Sequence, residues 1–274
     1  KDKKGNIPYL TTILKEIPTN TILCKTLTGL GATYGEIKAK RNSIIVEPNV
    51  STIQCKCADP KHANDNLYGV IEKVGVDDIK EYIVNTKDKY YKFLVTPESF
   101  YKVKEAFKEL ELSVYNECFM LFDESHKLVK DADYREGIYL PLDDFFQFKG
   151  KALVSATPVE LSDPRFKDFQ KLVIEPQFDF HVNIEIQCTN NTLERFKQTI
   201  NNLQSNCICI FLNSTDTIHA LMEKIGILDE STVFCAPKSV YKLKQSLNFK
   251  NAYSKFDPKL MKKFNFFTSR FNAG

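Results

Sequence analysis

Short apolar runs alternate with longer amphipathic stretches along the whole chain. The runs that predict strands are residues 21–24, 43–47, 92–96, 118–122, 152–155, 184–188, 207–212, 232–235 and 264–268. Strands that alternate with helix-length segments are typical of an α/β fold with a parallel sheet. The pattern therefore predicts an α/β protein in which helices cross over between parallel strands.

Two of the amphipathic stretches illustrate the predicted helices. Residues 97–110, PESFYKVKEAFKEL, and residues 214–226, STDTIHALMEKIG, carry apolar side chains at helical spacing. Each begins near a serine or threonine that can cap a helix.

A segment that combines a proline with mixed polarity, EPQFDFHVN at 175–183, predicts a linker between two α/β units. We expect a first domain over residues 1–176 and a second over 177–274. The second offers about four strands, fewer than the five or six of a common sheet. It is therefore expected to be truncated.

Composition narrows the class of protein. The chain of 274 residues is 43% hydrophobic and 27% charged, as in a globular protein, and its formal net charge is only +3. Contact with nucleic acid would therefore come from a local surface. The apolar runs are far shorter than the ~20 residues of a membrane span, and the N-terminus has no apolar core typical of a secretory signal.

Eight cysteines raise the question of disulfides or metal. Cys207 and Cys209 alternate within a predicted strand, which predicts small buried fillers on one face, reduced as in a cytoplasmic protein. The trio Cys55, Cys57 and His62 leaves a weaker metal alternative, because zinc pairs usually stand two to four residues apart with a matching second pair. No zinc is expected.

An acidic strand end is the first candidate for chemistry. In ECFMLFDESH, residues 117–126, Asp123 and Glu124 directly follow an apolar run. Open α/β sheets bind ligands at the carboxyl ends of their strands. Asp123 is suited to hold Mg²⁺, and Glu124 to orient or deprotonate a water molecule. The alternative is a strand followed by a solvated acidic turn.

A glycine-containing loop follows the first predicted strand. In TLTGLGATYG, residues 26–35, Gly29 and Gly31 allow backbone amides to approach phosphate oxygens, and Thr33 offers a hydroxyl to Mg²⁺. By itself, an ordinary strand-to-helix turn explains the loop equally well. Further along, the segment ALVSATP at 152–158 is another strand that ends in small hydroxyl residues.

These segments together resemble the motifs of superfamily-two helicases, the DEAD/DEAH-box-like group. TGLGAT resembles their first motif with its lysine replaced, DESH the second, and SAT at 155–157 the third. IIVEPN at 44–49 and FLVTPESF at 93–100 are similar to backbone-contacting turns of the first domain. CIFLNSTDTIHALMEKIG at 209–226 and FFTSRFNAG at 266–274 are similar to motifs of the second.

The resemblance implies two RecA-like P-loop domains with parallel sheets, ATP and Mg²⁺ in a cleft, and single-stranded DNA or RNA held by its backbone. The implied catalytic residues are Glu124, Asp123 and His126, with Mg²⁺ on Thr33 and Asp123. The implied cofactor-binding residues are Thr28, Gly29, Leu30, Gly31, Ala32 and Thr33. Lys25 is a further cofactor-binding candidate, not from the family pattern but because a residue at the strand end can point towards the phosphates. His126 would couple the nucleotide site to Ser155, Ala156 and Thr157. The implied nucleic-acid contacts are Pro48, Asn49, Thr96, Pro97, Asn213, Ser214 and Thr268.

Two departures from the family pattern stand out. Ala32 occupies the position of the usual phosphate-binding lysine, so we expect Lys25, or the more distant Lys38, to substitute for it; a solvated lysine at the strand end is the alternative for Lys25. The family's final motif, which supplies arginines to the γ-phosphate, does not follow Gly274, and Arg270 is the one arginine of the closing segment. Hydrolysis by this chain is therefore expected to be impaired.

The sequence predicts an ATP-dependent helicase or translocase. One alternative is a degenerate ATPase that serves as a nucleic-acid or protein-binding module, which Ala32 favours and the retained Asp123, Glu124 and Thr33 disfavour. Another is a phage packaging-type ATPase. We expect a cytoplasmic protein without a membrane segment, and replication or mobile-element proteins as partners.

Overall fold

The structure is a computed structural model of the chain. It describes residues 7–86, 89–127, 141–157, 161–179 and 183–268. The chain divides into two compact units, Lys1–Phe180 and His181–Gly274.

The first unit contains a parallel sheet of seven strands in the order β3-β4-β2-β5-β6-β1-β7. The strands are β1 (Thr21–Cys24), β2 (Ser43–Val46), β3 (Leu67–Val70), β4 (Lys92–Val95), β5 (Phe119–Phe122), β6 (Gly150–Ser155) and β7 (Gln170–Val173). Central strands β2, β4 and β5 are buried at every position. Burial on both faces explains why these strands are continuous apolar runs.

Helices supply the cover for this sheet. The described helices of the unit are α1 (Ala32–Lys38), α2 (Val50–Ala58), α3 (Val76–Asn85), α4 (Phe100–Glu109), α5 (Val114–Glu117) and α6 (Leu142–Gln147). The unit has two hydrophobic clusters, and successive residues of β2 contribute to different ones. Ile44 packs with residues of α3 and α4, and Ile45 packs with residues of α1 and α2. The predicted helix at 97–110 is a 3-10 turn, Pro97–Ser99, followed by α4, and no side chain caps it.

The second unit contains a parallel sheet of four strands in the order β10-β9-β11-β8. Its strands are β8 (Ile208–Phe211), β9 (Ser231–Phe234), β10 (Ala252–Tyr253) and β11 (Phe264–Phe267), and its helices are α7 (Thr192–Asn202), α8 (Thr215–Ile225) and α9 (Pro237–Gln245). Ser214 caps α8 by accepting a hydrogen bond from the Thr217 amide, as predicted. The α/β class with parallel sheets is therefore confirmed in both units.

One predicted strand is wrong. Residues 184–188 are irregular, and Ile184 and Ile186 are 82% and 84% exposed. No described strand pairs with this segment, and an apolar alternation without a partner does not form a sheet. The prediction also missed β3, β7 and β10, of which β7 is mostly exposed and β10 has two residues.

The prediction of buried fillers at Cys207 and Cys209 is also wrong, because both side chains are exposed. On β8, Ile208 is buried against residues of the three helices, whereas Cys209 lies on the opposite face. Because β8 is an edge strand, that face has less cover than the centre of the sheet. Among the described residues, none of the helices is long and apolar enough to cross a membrane.

Candidate nucleotide site

Four neighbouring strands bring the predicted site residues to one edge of the first sheet. The strands are adjacent in the order β2-β5-β6-β1. Glu47, Asp123 and Lys25 directly follow β2, β5 and β1, and Ser155 is the last residue of β6. Backbone bonds extend the ladder past the strands, from the Lys25 amide to Ser155 O at 2.9 Å and from the Asp123 amide to Val46 O at 3.1 Å. The carboxyl ends of parallel strands are where open α/β sheets hold ligands.

Lys25 lies inside this cluster. Its side chain is only 6% exposed, and Nζ lies 3.4 Å from Asp123 Oδ1 and 3.5 Å from Glu124 Oε1. Burial lowers the pKa of the ammonium, but the two carboxylates outweigh burial and raise it. The alternative of a solvated lysine is excluded. Lys38 instead pairs with Asp65 at 2.7 Å and lies over the Tyr34 ring.

Asp123 is buried and accepts a hydrogen bond from the Thr33 hydroxyl. Burial by itself raises the pKa of this carboxyl, yet Lys25, Lys56 and Thr33 together hold it below its usual value. Asp123 is therefore a carboxylate at neutral pH. The predicted proximity of the acidic strand end to the loop at 29–33 is realised through Thr33.

The loop between β1 and α1 turns on two glycines. Gly29 and Gly31 have φ of 73° and 79°, which L side chains rarely adopt. Gly31 is the N-cap of α1, and the helix begins at Ala32. The Ala32 side chain is 2% exposed and packs in the core with Leu30, whereas Thr28 and Gly29 are exposed.

Glu124 and His126 connect the acidic strand end to the SAT segment. His126 Nδ1 lies 2.9 Å from Ser155 Oγ and 3.2 Å from Glu124 Oε2. Ser155 Oγ also donates to Thr157 O at 2.8 Å and accepts from the Thr157 amide at 3.0 Å. One assignment satisfies all these contacts: a proton on Nδ1 that His126 shares between Ser155 and Glu124. Glu124 itself has a φ of 51°, a left-handed conformation that is uncommon for a residue other than glycine.

Glu47 is a site residue that the sequence analysis missed. It is 2% exposed and follows β2, next to Asp123 in the ladder. Its closest ionic partner is Lys56 Nζ, 3.6 Å from Oε2. Burial, and then the charge of Asp123, raise the pKa of Glu47 to about 7. Its position directly after an apolar run, the criterion that identified Asp123, was the available signal.

The predicted nucleic-acid contacts differ in accessibility. Pro48, Thr96, Pro97 and Thr268 are buried, and the Thr96 hydroxyl donates to Ser99 Oγ at 3.0 Å. Asn49 is half-buried and accepts from Lys127 Nζ at 3.3 Å, while Asn213 and Ser214 are exposed. Of the predicted nucleic-acid contacts, all of which the structure describes, Asn49, Asn213 and Ser214 are the ones whose side chains are accessible to a ligand.

The cysteine-histidine metal alternative rests on Cys55, Cys57 and His62. Cys55 and Cys57 are exposed, and His62 Nδ1 lies 2.8 Å from Asp65 Oδ2. Within the part of the chain that the structure describes, no three His, Cys, Asp or Glu side chains are grouped as a metal site, so the alternative of a cysteine-histidine metal site gains no support. Arg270 and Pro158 lie outside the described residues.

Comparison with known proteins supports the fold. No protein-family profile and no curated protein matches the sequence. The structure is similar to a Dbp5 variant of S. cerevisiae bound to a Gle1 variant and IP6, at 11% identity and a TM-score of 0.51, with 90% of this chain and 64% of that chain covered. A Dbp5 variant bound to Nup159, Gle1, IP6 and ADP is similar at 12% identity and a TM-score of 0.49, with 95% and 70% covered. A DEAD box protein from Methanococcus jannaschii is similar at 13% identity and a TM-score of 0.44, with 92% of this chain and 74% of that chain covered.

The chain thus spans about two thirds of the Dbp5 chains that it matches. At these identities the likeness concerns the fold and not the activity. It agrees with the two parallel sheets described above and with the predicted RecA-like class. The chain has an α/β fold with parallel sheets of the kind found in RecA-like helicase domains.

Proposed function

We propose that the first unit binds Mg-ATP and that the chain is part of an ATP-dependent helicase or translocase acting on DNA or RNA. The observation that carries the proposal is the cluster at the carboxyl edge of the sheet, in which Lys25, Thr33 and Asp123 are buried and Glu124 is partly exposed. A lysine, a hydroxyl and two carboxylates are the groups that phosphoryl transfer requires around a nucleotide. An acidic turn in solvent would not bury Asp123 together with Lys25 and Thr33.

The donor set fits magnesium. Mg²⁺ prefers oxygen ligands and is commonly held by one or two protein groups together with phosphate oxygens and water. The Thr33 hydroxyl and the Asp123 carboxylate supply two adjacent oxygens, and the Lys25 ammonium already occupies this neighbourhood as a cation. When bound, Mg²⁺ neutralises charge on the phosphates and positions them.

Lys25 is the proposed substitute for the missing lysine at position 32. Its contacts of 3.4 and 3.5 Å to the carboxylates are longer than strong charge-assisted hydrogen bonds of about 2.7–2.9 Å. The ammonium is therefore held by electrostatic attraction to the carboxylates and not by short hydrogen bonds. We propose that it turns from the carboxylates towards the β- and γ-phosphates when nucleotide enters.

Glu124 is the proposed base. Its side chain is 27% exposed, so its carboxylate is reached by water while Asp123 is enclosed. Contacts with Lys25 and His126 on its two oxygens fix the orientation of the carboxylate. Glu124 would accept the hydrogen bond, and then the proton, of a water molecule attacking the γ-phosphate.

Nucleic acid is proposed to contact the turns after strands in each unit. The Asn49 amide, held by Lys127, lies directly after Glu47 and Pro48, and Asn213 and Ser214 follow β8. Polar groups of this kind position a phosphate backbone without reading its sequence. Binding should therefore weaken as salt concentration rises.

The test is ATP hydrolysis by the chain with and without single-stranded DNA or RNA. We expect hydrolysis stimulated by nucleic acid, and Glu124→Gln to abolish hydrolysis while keeping Mg-ATP binding within about threefold. Glu72→Gln, which changes an exposed carboxylate, is the matched control. Absence of nucleotide binding at millimolar Mg-ATP in a folded protein would refute the proposal.

A non-catalytic binding module is the second candidate, and Ala32 is the observation that favours it. In this loop a buried alanine replaces the usual phosphate-binding lysine, so the protein could keep the fold while lacking ATP hydrolysis. This candidate predicts nucleic-acid binding that is indifferent to Mg-ATP and unaffected by Glu124→Gln. The same titrations therefore separate the two functions.

A further inference from the structure

Glu47 is a buried acid beside Asp123 that the proposed chemistry does not account for. Val46 and Phe122 are register partners, and the bond from the Asp123 amide to Val46 O continues the ladder for one further residue. Neighbouring strands lie about 4.8 Å apart, so the two acids follow β2 and β5 side by side. Both are at least 96% buried, with exposures of 2% and 4%.

Each acid has its own partner from a different helix. Thr33 of α1 donates to Asp123, and Lys56 of α2 lies 3.6 Å from Glu47. The Lys56 side chain is 26% exposed, so its ammonium is free to be hydrated from one side. Counting Glu124 and Lys25, three acids and two ammonium groups share the cluster.

The charge of Glu47 is only partly compensated within the fold, because Lys56 and a hydrogen bond from the Asn49 backbone favour the ionised form but burial and the charge of Asp123 outweigh them. Its contact with Lys56 is longer than a strong hydrogen bond, and burial beside Asp123 disfavours its ionised form. A buried carboxylate that costs stability and lies in a cluster of perturbed groups is typical of a functional site. A positive charge that approaches Asp123 would also be attracted by the neighbouring Glu47 carboxylate.

We propose that Glu47 and Lys56 set the affinity of the Asp123 site for a divalent cation, with Glu47 strengthening binding and Lys56 weakening it. This inference rests on the proposed role of Asp123 and Thr33 as magnesium ligands. Neither residue is proposed to ligate the metal or to contact the phosphates. They act through their charges on a partly enclosed site, where water screens them less than at an exposed surface.

The opposite signs of the two charges provide the test. Mg²⁺ alone is titrated into the folded full chain without nucleotide at about pH 8.5, and binding is measured by calorimetry and by the shift in Tm. Glu47→Gln should weaken Mg²⁺ binding roughly three- to tenfold, and Lys56→Met should strengthen it by a similar factor. The double variant should return close to the wild-type affinity, and Glu72→Gln should leave it unchanged.

Each outcome has a distinct meaning. Wild-type binding of Mg²⁺ with both single variants unchanged, or shifted in the same direction, overturns the inference and leaves the proposed nucleotide site intact. A wild-type chain that binds neither Mg²⁺ nor Mg-ATP overturns the proposed function and this inference together. Should Glu47→Gln fail to fold, the tighter binding expected of Lys56→Met still decides the question.

Discussion

The Lys25 ammonium lies 3.4 Å from the Asp123 carboxylate, although the two residues are 98 positions apart in the chain. Lys25 follows β1 and Asp123 follows β5, and β6 lies between these two strands in the sheet. Side chains of 6% and 4% exposure therefore meet across an intervening strand. A cation is present at the candidate phosphate site even though position 32 is alanine.

Replacing Lys25 should impair the proposed nucleotide site. Lys25→Ala removes the ammonium that would face the phosphates, so we expect Mg-ATP affinity to fall by about tenfold or more, as for loss of one charge-assisted contact in a closed site. Isothermal titration calorimetry measures the change.

Lys38→Ala is the matched control, because Lys38 is in the same region of the sequence but pairs with Asp65. Its Mg-ATP affinity should stay within about twofold of wild type. An equal loss of Mg-ATP affinity in both variants would mean that the loss comes from lower overall positive charge and not from a specific contact. Unchanged affinity in Lys25→Ala would show that this lysine does not bind the nucleotide.

Glu47 predicts a specific dependence of stability on pH. Its pKa is raised from 4.5 to about 7 in the folded protein, so the folded state binds the proton more tightly than the unfolded state. Ionisation between these values therefore costs stability as pH rises. Glu47→Gln, which resembles the protonated acid, should be more stable than wild type by about 2–3 kcal/mol near pH 8.

Urea unfolding at a series of pH values measures this difference, which should disappear as pH falls towards 4.5. Glu72→Gln, at an exposed position, should show no such trend. A Glu47→Gln variant less stable than wild type at pH 8 would show that the Lys56 contact outweighs the burial of the charge.

The sequence predicted those parts of the fold in which apolar pattern and burial coincide. The strands around Ile44 and Leu121 are buried on both faces, and their continuous apolar runs were recognised. By contrast, β7 is mostly exposed and has mixed polarity, so it carried no comparable signal. Ile184 and Ile186 carried the signal but have no described partner strand.

The site was predictable only in part for a related reason. Asp123 and Glu124 are consecutive and follow a recognisable strand, whereas the burial of Lys25 depends on the order β5-β6-β1 across the sheet. Strand order is a long-range property that local pattern does not contain. Glu47 was overlooked because its importance comes from a neighbour that is distant in sequence, Asp123 on the adjacent strand.

Lys92 predicts a structural effect away from the site. Its buried ammonium donates to the carbonyl oxygens of Glu36, Ala39 and Arg41 at 2.7–2.8 Å, which ties the end of α1 and the following turn to β4. Lys92→Met would leave these carbonyls without that donor. We expect a loss of about 2–4 kcal/mol in the free energy of unfolding, measured by urea denaturation. The exposed Lys89→Met should change it by less than about 0.5 kcal/mol.

The contact between His126 and Ser155 predicts a coupled pair. Because Nδ1 of His126 lies within 3.2 Å of both Ser155 Oγ and Glu124 Oε2, loss of either His126 or Ser155 breaks the same connection from the base to the SAT segment. We expect His126→Ala and Ser155→Ala each to lower nucleic-acid-stimulated hydrolysis by about tenfold, with the double variant no worse than either single one. Mg-ATP affinity should stay within about twofold, since neither side chain is a proposed phosphate contact.

The control is Ser162→Ala, which changes an exposed serine on the same unit and should match wild type. Additive losses in the double variant would show that the two residues act independently and that this hydrogen bond does not transmit the effect of nucleic acid.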